Sequence, residues 1–149
     1  MKQYTQPEVE TIARRLGKAV KGGEVLELVG DVGAGKTTFT KAFALDLGIQ
    51  ETIQSPTFTI SNTYQARDSL ELRHYDFYRL HDAGVMRDEL AEALEDPTVV
   101  TVIEWSEIVQ SVLPEDRLTI TFSPVEDDTR SLVFSAGGPS SKKLLEAIQ

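Results

Sequence analysis

Val25-Leu26-Glu27-Leu28-Val29 runs directly into Gly30-Asp31-Val32-Gly33-Ala34-Gly35-Lys36-Thr37, and Thr38-Phe39-Thr40-Lys41-Ala42-Phe43-Ala44-Leu45 follows. An apolar run, a G-x-x-x-x-G-K-T loop and a helix-competent segment stand here in the order strand, loop, helix. A phosphate-binding loop of nucleoside triphosphatases requires that context. Glycines let main-chain N–H groups approach phosphate oxygens, and the start of the helix adds partial positive charge. Asp31, Val32, Gly33, Ala34, Gly35, Lys36, Thr37 and Thr38 are therefore the expected nucleotide-binding run. Lys36 is expected to reach the β- and γ-phosphates, and the Thr37 hydroxyl to ligate Mg²⁺. The competing reading, a glycine-rich turn with an exposed lysine, leaves the ordered strand and helix on either side unexplained.

Before the loop, Pro7 introduces Val9, Ile12, Ala13, Leu16 and Val20, spaced as one face of a helix that Gly22-Gly23 ends. The helix after the loop is predicted from Thr37 to Leu47, closed by Gly48. Phe58 to Gln65 and Leu70 to Tyr78 are β-prone runs around Ala66-Arg67-Asp68-Ser69, a predicted hairpin. Met86 to Leu94 predicts a short helix ended by Asp96-Pro97, and Val99 to Ile103 a second apolar strand. One or two helical turns are expected from Ile108 to Leu113. Leu118 to Phe122 and Ser131 to Phe134 alternate around Glu126-Asp127-Asp128, which predicts a second antiparallel hairpin. Pro139 and Ser140 open a final helix carrying Leu144, Leu145 and Ile148. Without repeat, low-complexity tract or linker, residues 1–149 read as one α/β domain. The predicted architecture is a three-layer fold of the phosphate-loop NTPase type, its central parallel sheet extended by antiparallel strands.

With 40% apolar and 26% charged residues, the chain has the composition of an ordinary soluble globular protein. No apolar stretch reaches the ~18 residues of a membrane span. The Met1–Pro7 segment has no apolar core behind Lys2, so no secretory signal is expected, and a cytoplasmic location is. There is no cysteine, so any metal is expected on oxygen or imidazole ligands. A net charge of −9 argues against broad, unaided binding to nucleic acid, which relies on clustered Lys and Arg. It leaves nucleotide binding open, because charges farther away than about 8 Å are screened at physiological salt. The expected macromolecular partner has a basic face.

A phosphate loop needs an acid at the end of a neighbouring strand to position Mg²⁺ or a water. Glu104, directly after Val99–Ile103, is the candidate; the alternative is a helix N-terminal charge for the turn beginning near Ser106. Two readings fit Trp105, the only tryptophan: a wall of the nucleotide site, or core packing. In His74-Tyr75-Asp76-Phe77-Tyr78-Arg79, a strand would put His74, Asp76 and Tyr78 on one face. Asp76 can then approach Mg²⁺ or orient a water, and Arg79 can meet a phosphate or a partner. Cross-strand aromatic pairs and a solvated charged face explain the cluster equally well. The hydroxyls of Ser55-Pro56-Thr57-Phe58-Thr59 could sense a γ-phosphate, but composition alone favours a proline-fixed turn leading into a strand. No Asn/Thr-Lys-x-Asp motif reads guanine, and no Arg-rich lid is present.

Four segments in this order, GDVGAGKTT (30–38), SPTFT (55–59), HYDFYR (74–79) and IEW (103–105), resemble the bacterial TsaE (formerly YjeE) family. The resemblance extends from the first helix to the Leu118–Phe134 hairpin. It implies a small ATPase of tRNA threonylcarbamoyladenosine synthesis that binds ATP and Mg²⁺. It implies hydrolysis that is slow alone and faster with the partners TsaB and TsaD. In that family TsaD transfers the threonylcarbamoyl group to adenosine-37 of ANN-decoding tRNAs, and TsaE supports repeated cycles. Lys36 and Thr37 then fall on the phosphate loop and Glu104 on the Mg²⁺-linked acid. Asp76 falls on the hairpin acid, and Thr57 and Thr59 on the switch-like segment. Phe77 stands where the family usually has Leu, a change of packing rather than chemistry.

The resulting expectation is a Mg²⁺-dependent ATPase that binds and resets a TsaB–TsaD complex, touching tRNA only through that complex. Lys36, Glu104 and Asp76 are its expected catalytic groups, Trp105 a further nucleotide-binding residue, and Thr37 and Glu104 its metal ligands. A small-molecule kinase of the same fold and a non-catalytic, ATP-dependent adaptor are the rival readings.

Overall fold

In the computed structural model, which describes residues 2–31, 33–54, 60–78, 80–82, 84–124 and 129–149, strands and helices alternate along most of the chain. They are β1 (Gln3–Thr5), α1 (Gln6–Ala19), β2 (Val25–Val29), α2 (Lys36–Asp46), β3 (Ser61–Gln65), β4 (Glu71–Asp76), α3 (Val85–Glu95), β5 (Val99–Glu104), β6 (Leu118–Pro124), β7 (Thr129–Ala136) and α4 (Pro139–Ala147). Short 3₁₀ turns occupy Arg67–Ser69 and Ser106–Val109. Among the described residues no helix is long and apolar enough to cross a membrane.

One seven-stranded sheet runs in the order β1-β7-β6-β2-β5-β4-β3. β2 lies parallel between β6 and β5, and β4 is parallel to β5. The pairs β1–β7, β6–β7 and β3–β4 are antiparallel. The carboxyl ends of β6, β2, β5 and β4 consequently share one edge, where ligands of α/β sheets bind. Direction alone brings three further segments to it: the start of β7, the end of β1 with the start of α1, and the start of β3.

Alternation sorts the strand side chains onto two faces. Leu26, Leu28, Leu72, Val100, Val102, Ile120 and Phe122 face a core built with α1, α2 and α4. Val25, Tyr75, Val99 and Ile103 face a second core with Leu90 and Ala93 of α3 and with Val109. This is the expected three-layer arrangement. Thr5 begins α1 with a capping box, its Oγ1 accepting from Glu8 N at 3.3 Å while Glu8 Oε1 accepts from Thr5 N at 2.9 Å. Where α1 crosses α2, a Cβ on Gly17 would stand 2.2 Å from the Phe43 carbonyl oxygen, so the two helices meet at a hydrogen.

Two features depart from expectation. β1 was not predicted, because three polar residues carry no periodicity; its ladder with β7 makes it a strand. The second hairpin is not merely an antiparallel addition, since β6 pairs with β2 and belongs to the parallel centre. The predicted first hairpin is present from Ser61; its proposed start at Phe58 lies outside the described residues, as does the Glu126–Asp128 turn.

Glu27 ties the second face together. Its buried carboxylate accepts from Ser106 Oγ (2.5 Å), Gln110 Nε2 (2.7 Å), Arg117 Nε (2.9 Å) and Thr119 Oγ1 (2.8 Å). Burial alone would push this carboxyl up, but the donors outweigh it and hold it at about 2, against an ordinary 4.5. A depressed carboxyl stabilises the fold above its ordinary range, and that stability is lost as pH falls from 4.5 toward about 2. Glu27→Gln is expected to cost roughly 2–3 kcal/mol at pH 7, and the gap to the parent protein should narrow through that acid window. Urea unfolding at several pH values measures it; a pH-independent gap would deny the carboxylate this role.

Candidate active site

Gly35 stands at the N-cap of α2 with φ 103°, a left-handed conformation that a side chain would strain. This turn sets Lys36 as the first helical residue, 5% exposed, at the carboxyl edge of β2. The Lys36 ammonium donates to the Gly30 carbonyl oxygen at 2.5 Å, lies 3.8 Å from Glu104 Oε1 and sits 4.3 Å over the Trp105 ring. A buried ammonium is costly unless surrounded by acceptors and charge, and this one has all three partners.

Glu104 ends β5, beside Leu28 of β2 and Asp76 of β4. Its second oxygen, Oε2, is 2.6 Å from Nε2 of the fully buried His74. The carboxylate is thus gripped between a lysine and a histidine rather than spent on the turn at Ser106. Asp76, also buried, accepts from Tyr78 N at 2.9 Å. Burial pushes its carboxyl up and the charge of Glu104 adds to the rise, while the Tyr78 N–H bond, His74 and Lys36 oppose it. The solvated face considered for His74 and Asp76 is overturned, since both lie in the interior against the α2 layer. Tyr78 follows the end of β4, and its ring lies 4.7 Å from that of Trp105. Trp105 itself is half-buried in a left-handed conformation, φ 55°.

Gly33, Gly35, Lys36, Thr37, Thr38, Asp76, Glu104 and Trp105 all line one cavity of about 410 Å³. Gln6, Tyr78 and Arg130 complete its wall. Asp31 lines a smaller neighbouring pocket with Trp105, and Ala34 packs into the core with its N–H donating to Asp31 O at 3.1 Å. Val32, Thr57 and Thr59 (with the whole 55–59 segment) and Arg79 lie outside the described residues. Gln6 and Arg130 escaped the sequence reading because neither belongs to a local motif; the β1 and β7 ladders bring them here. Chemically, the cavity offers a helix N-terminus, two cations, two carboxylates and the Thr37 hydroxyl, a set suited to an anion and a hard cation together.

Comparison with known proteins places the chain in a family. The family described as "Threonylcarbamoyl adenosine biosynthesis protein TsaE" matches residues 4–132. The TsaE of Bacillus subtilis (strain 168), a tRNA threonylcarbamoyladenosine biosynthesis protein, is 39% identical over 141 residues, covering 95% of this chain and 87% of the relative. That of Treponema pallidum (strain Nichols) is 44% identical over 120 residues, covering 80% and 87%. The crystal structure of Bacillus subtilis YdiB superposes with a TM-score of 0.76 at 36% identity, covering 99% of this chain and 94% of that one. The phosphate-loop segment, the His74–Asp76 strand and the Glu104–Trp105 corner sit on a fold shared with these relatives along nearly its whole length, and the chain belongs to the TsaE family of threonylcarbamoyladenosine biosynthesis proteins.

Proposed function

We propose that the chain is a Mg²⁺-dependent ATPase that supports threonylcarbamoyladenosine formation at position 37 of tRNA by binding and resetting a TsaB–TsaD complex. One observation carries the reading: Lys36, Thr37, Asp76, Glu104 and Trp105, from separate segments of the chain, surround one cavity at the N-terminus of α2. The names of the relatives supply the pathway.

The residues fit a nucleotide and its metal. Among the described residues no three His, Asp or Glu form a protein-only metal cage. Mg²⁺ needs none, since it takes one or two protein oxygens with substrate phosphates and water, and Thr37 and Glu104 are the oxygens on hand. Held there by Thr37 and Glu104, the metal would supply positive charge against the phosphates. Lys36 exchanges the Gly30 carbonyl for phosphate oxygens. Loop amides and the start of α2 hold the same anion. Glu104, steadied by His74, and Asp76, held by Tyr78 N, orient the attacking water. Phosphoryl transfer rewards such positioning and charge neutralisation more than a strong base.

Slow hydrolysis alone and acceleration by partners are the expected behaviour. Phosphate release from ATP, measured alone and with purified TsaB–TsaD, tests it. Equal, negligible rates with intact ATP binding would favour a nucleotide-dependent adaptor. Transfer of the γ-phosphate to a metabolite would favour a kinase. Failure of ATP to bind would end the reading.

A further inference from the structure

Arg130 is the second residue of β7, and three observations single it out. Its place is set by the ladders, where it pairs with Tyr4 of β1 on one side and with Pro124 of β6 on the other. At that position its Nε lies 3.7 Å from where a Cβ on Gly35 would stand, beside the residue that begins α2 and the loop amides. The side chain lines the same cavity as Lys36, Thr37 and Glu104.

Its hydrogen bonding is incomplete. Nη1 donates back to the Thr129 carbonyl at 3.0 Å, while Nε is buried without an acceptor. A buried N–H without an acceptor is costly, and native structures retain few. Arg14, Arg67, Arg73 and Arg117 each face a carboxylate, whereas no ion pair of Arg130 is found among the described residues. In a chain of net charge −9, a guanidinium that meets no carboxylate among the described residues, beside a helix N-terminus, suits an anionic ligand. Lys36 cannot neutralise a polyphosphate unaided, because Glu104 and Asp76 line the same cavity. A planar guanidinium donates to phosphate oxygens in pairs, which an ammonium cannot.

We propose that Arg130 binds phosphate, forming with Lys36 a two-cation clamp on the polyphosphate of a nucleoside di- or triphosphate. The proposal rests on the reading of this cavity as a nucleotide site and adds to it a residue outside the phosphate-loop motif. It also gives the cavity a preference for di- and triphosphates over monophosphates. The arms of the clamp come from separate elements: Lys36 is delivered by α2, and Arg130 by β7.

Calorimetric titration of ATP, ADP and AMP with Mg²⁺, for the wild type, Arg130→Gln and Arg130→Lys, tests this without reference to turnover. Arg130→Gln is expected to weaken ATP and ADP about ten- to a hundredfold, the worth of a charge-assisted contact, and to leave AMP within about threefold. Arg130→Lys should recover part of the loss, and thermal unfolding of both variants without ligand should stay near the wild type. Wild-type affinity of Arg130→Gln for ADP and ATP would overturn the proposal alone. An equal loss for AMP would overturn it too, pointing to contact with the base or sugar. An unstable Arg130→Gln alongside a stable Arg130→Lys of unchanged affinity would make the residue structural and likewise overturn it. If the wild type bound none of the three, the nucleotide site itself would be wrong.

Discussion

Lys36→Ala is expected to abolish measurable binding of Mg²⁺–ATP, a loss of at least about a hundredfold in affinity. The ammonium is almost fully enclosed, reaching Gly30 O, Glu104 and the face of Trp105. Phosphate oxygens would replace a neutral carbonyl by an anion, and a charge-assisted hydrogen bond in a screened-off site contributes about 3 kcal/mol. Truncation has a second effect. It leaves the buried Glu104 without its lysine partner, held by His74 and beside Asp76, and the start of α2 then faces more uncompensated negative charge. Both effects oppose a polyphosphate. Because Trp105 touches the lysine, its fluorescence reports nucleotide arrival directly, and calorimetry gives the affinity. An affinity within about threefold of the parent would remove Lys36 from the site.

Glu104→Ala is expected to do the opposite: bind nucleotide but lose turnover by about 10²–10³, or roughly 3–4 kcal/mol of transition-state stabilisation. Glu104 comes from the end of β5 rather than from the loop, and its carboxylate repels phosphate in the ground state. Its place beside Asp76 in the β4–β5 ladder suits it to a water or an outer oxygen of the metal shell. Removing it also frees Lys36 for the phosphates, which offsets the loss of one oxygen on the metal side, so nucleotide is expected still to bind. Single-turnover hydrolysis alongside equilibrium binding separates the two quantities. Equal hydrolysis rates in parent and variant would take this acid out of the mechanism.

The contrast between the two substitutions depends on His74. Its ring sits on the opposite carboxylate oxygen from Lys36, so the two side chains hold the Glu104 carboxylate from both oxygens. Nothing in the sequence announced that contact. His74 and Glu104 are thirty residues apart and meet only because β4 and β5 lie side by side, with Asp76 opposite Glu104. The cluster around His74 was ambiguous for the same reason: alternation gives a strand its faces, but not which face is dry.

Local signals carried most of the fold. The apolar run Val25–Val29, the glycines and Lys36 of the loop, and the stripe Val9–Leu16 specify strand, turn and helix through spacing and backbone freedom, which need no distant partner. Lys36, Thr37 and Glu104 could be singled out because their chemistry is tied to those elements. Tertiary structure alone decided that β6 stands beside β2, that three polar residues at the start of the chain become a strand, and that Arg130 reaches the cavity. Each of these is a matter of strand order and register. Ladder hydrogen bonds between segments far apart in the chain set both, and no short window of residues encodes its partner.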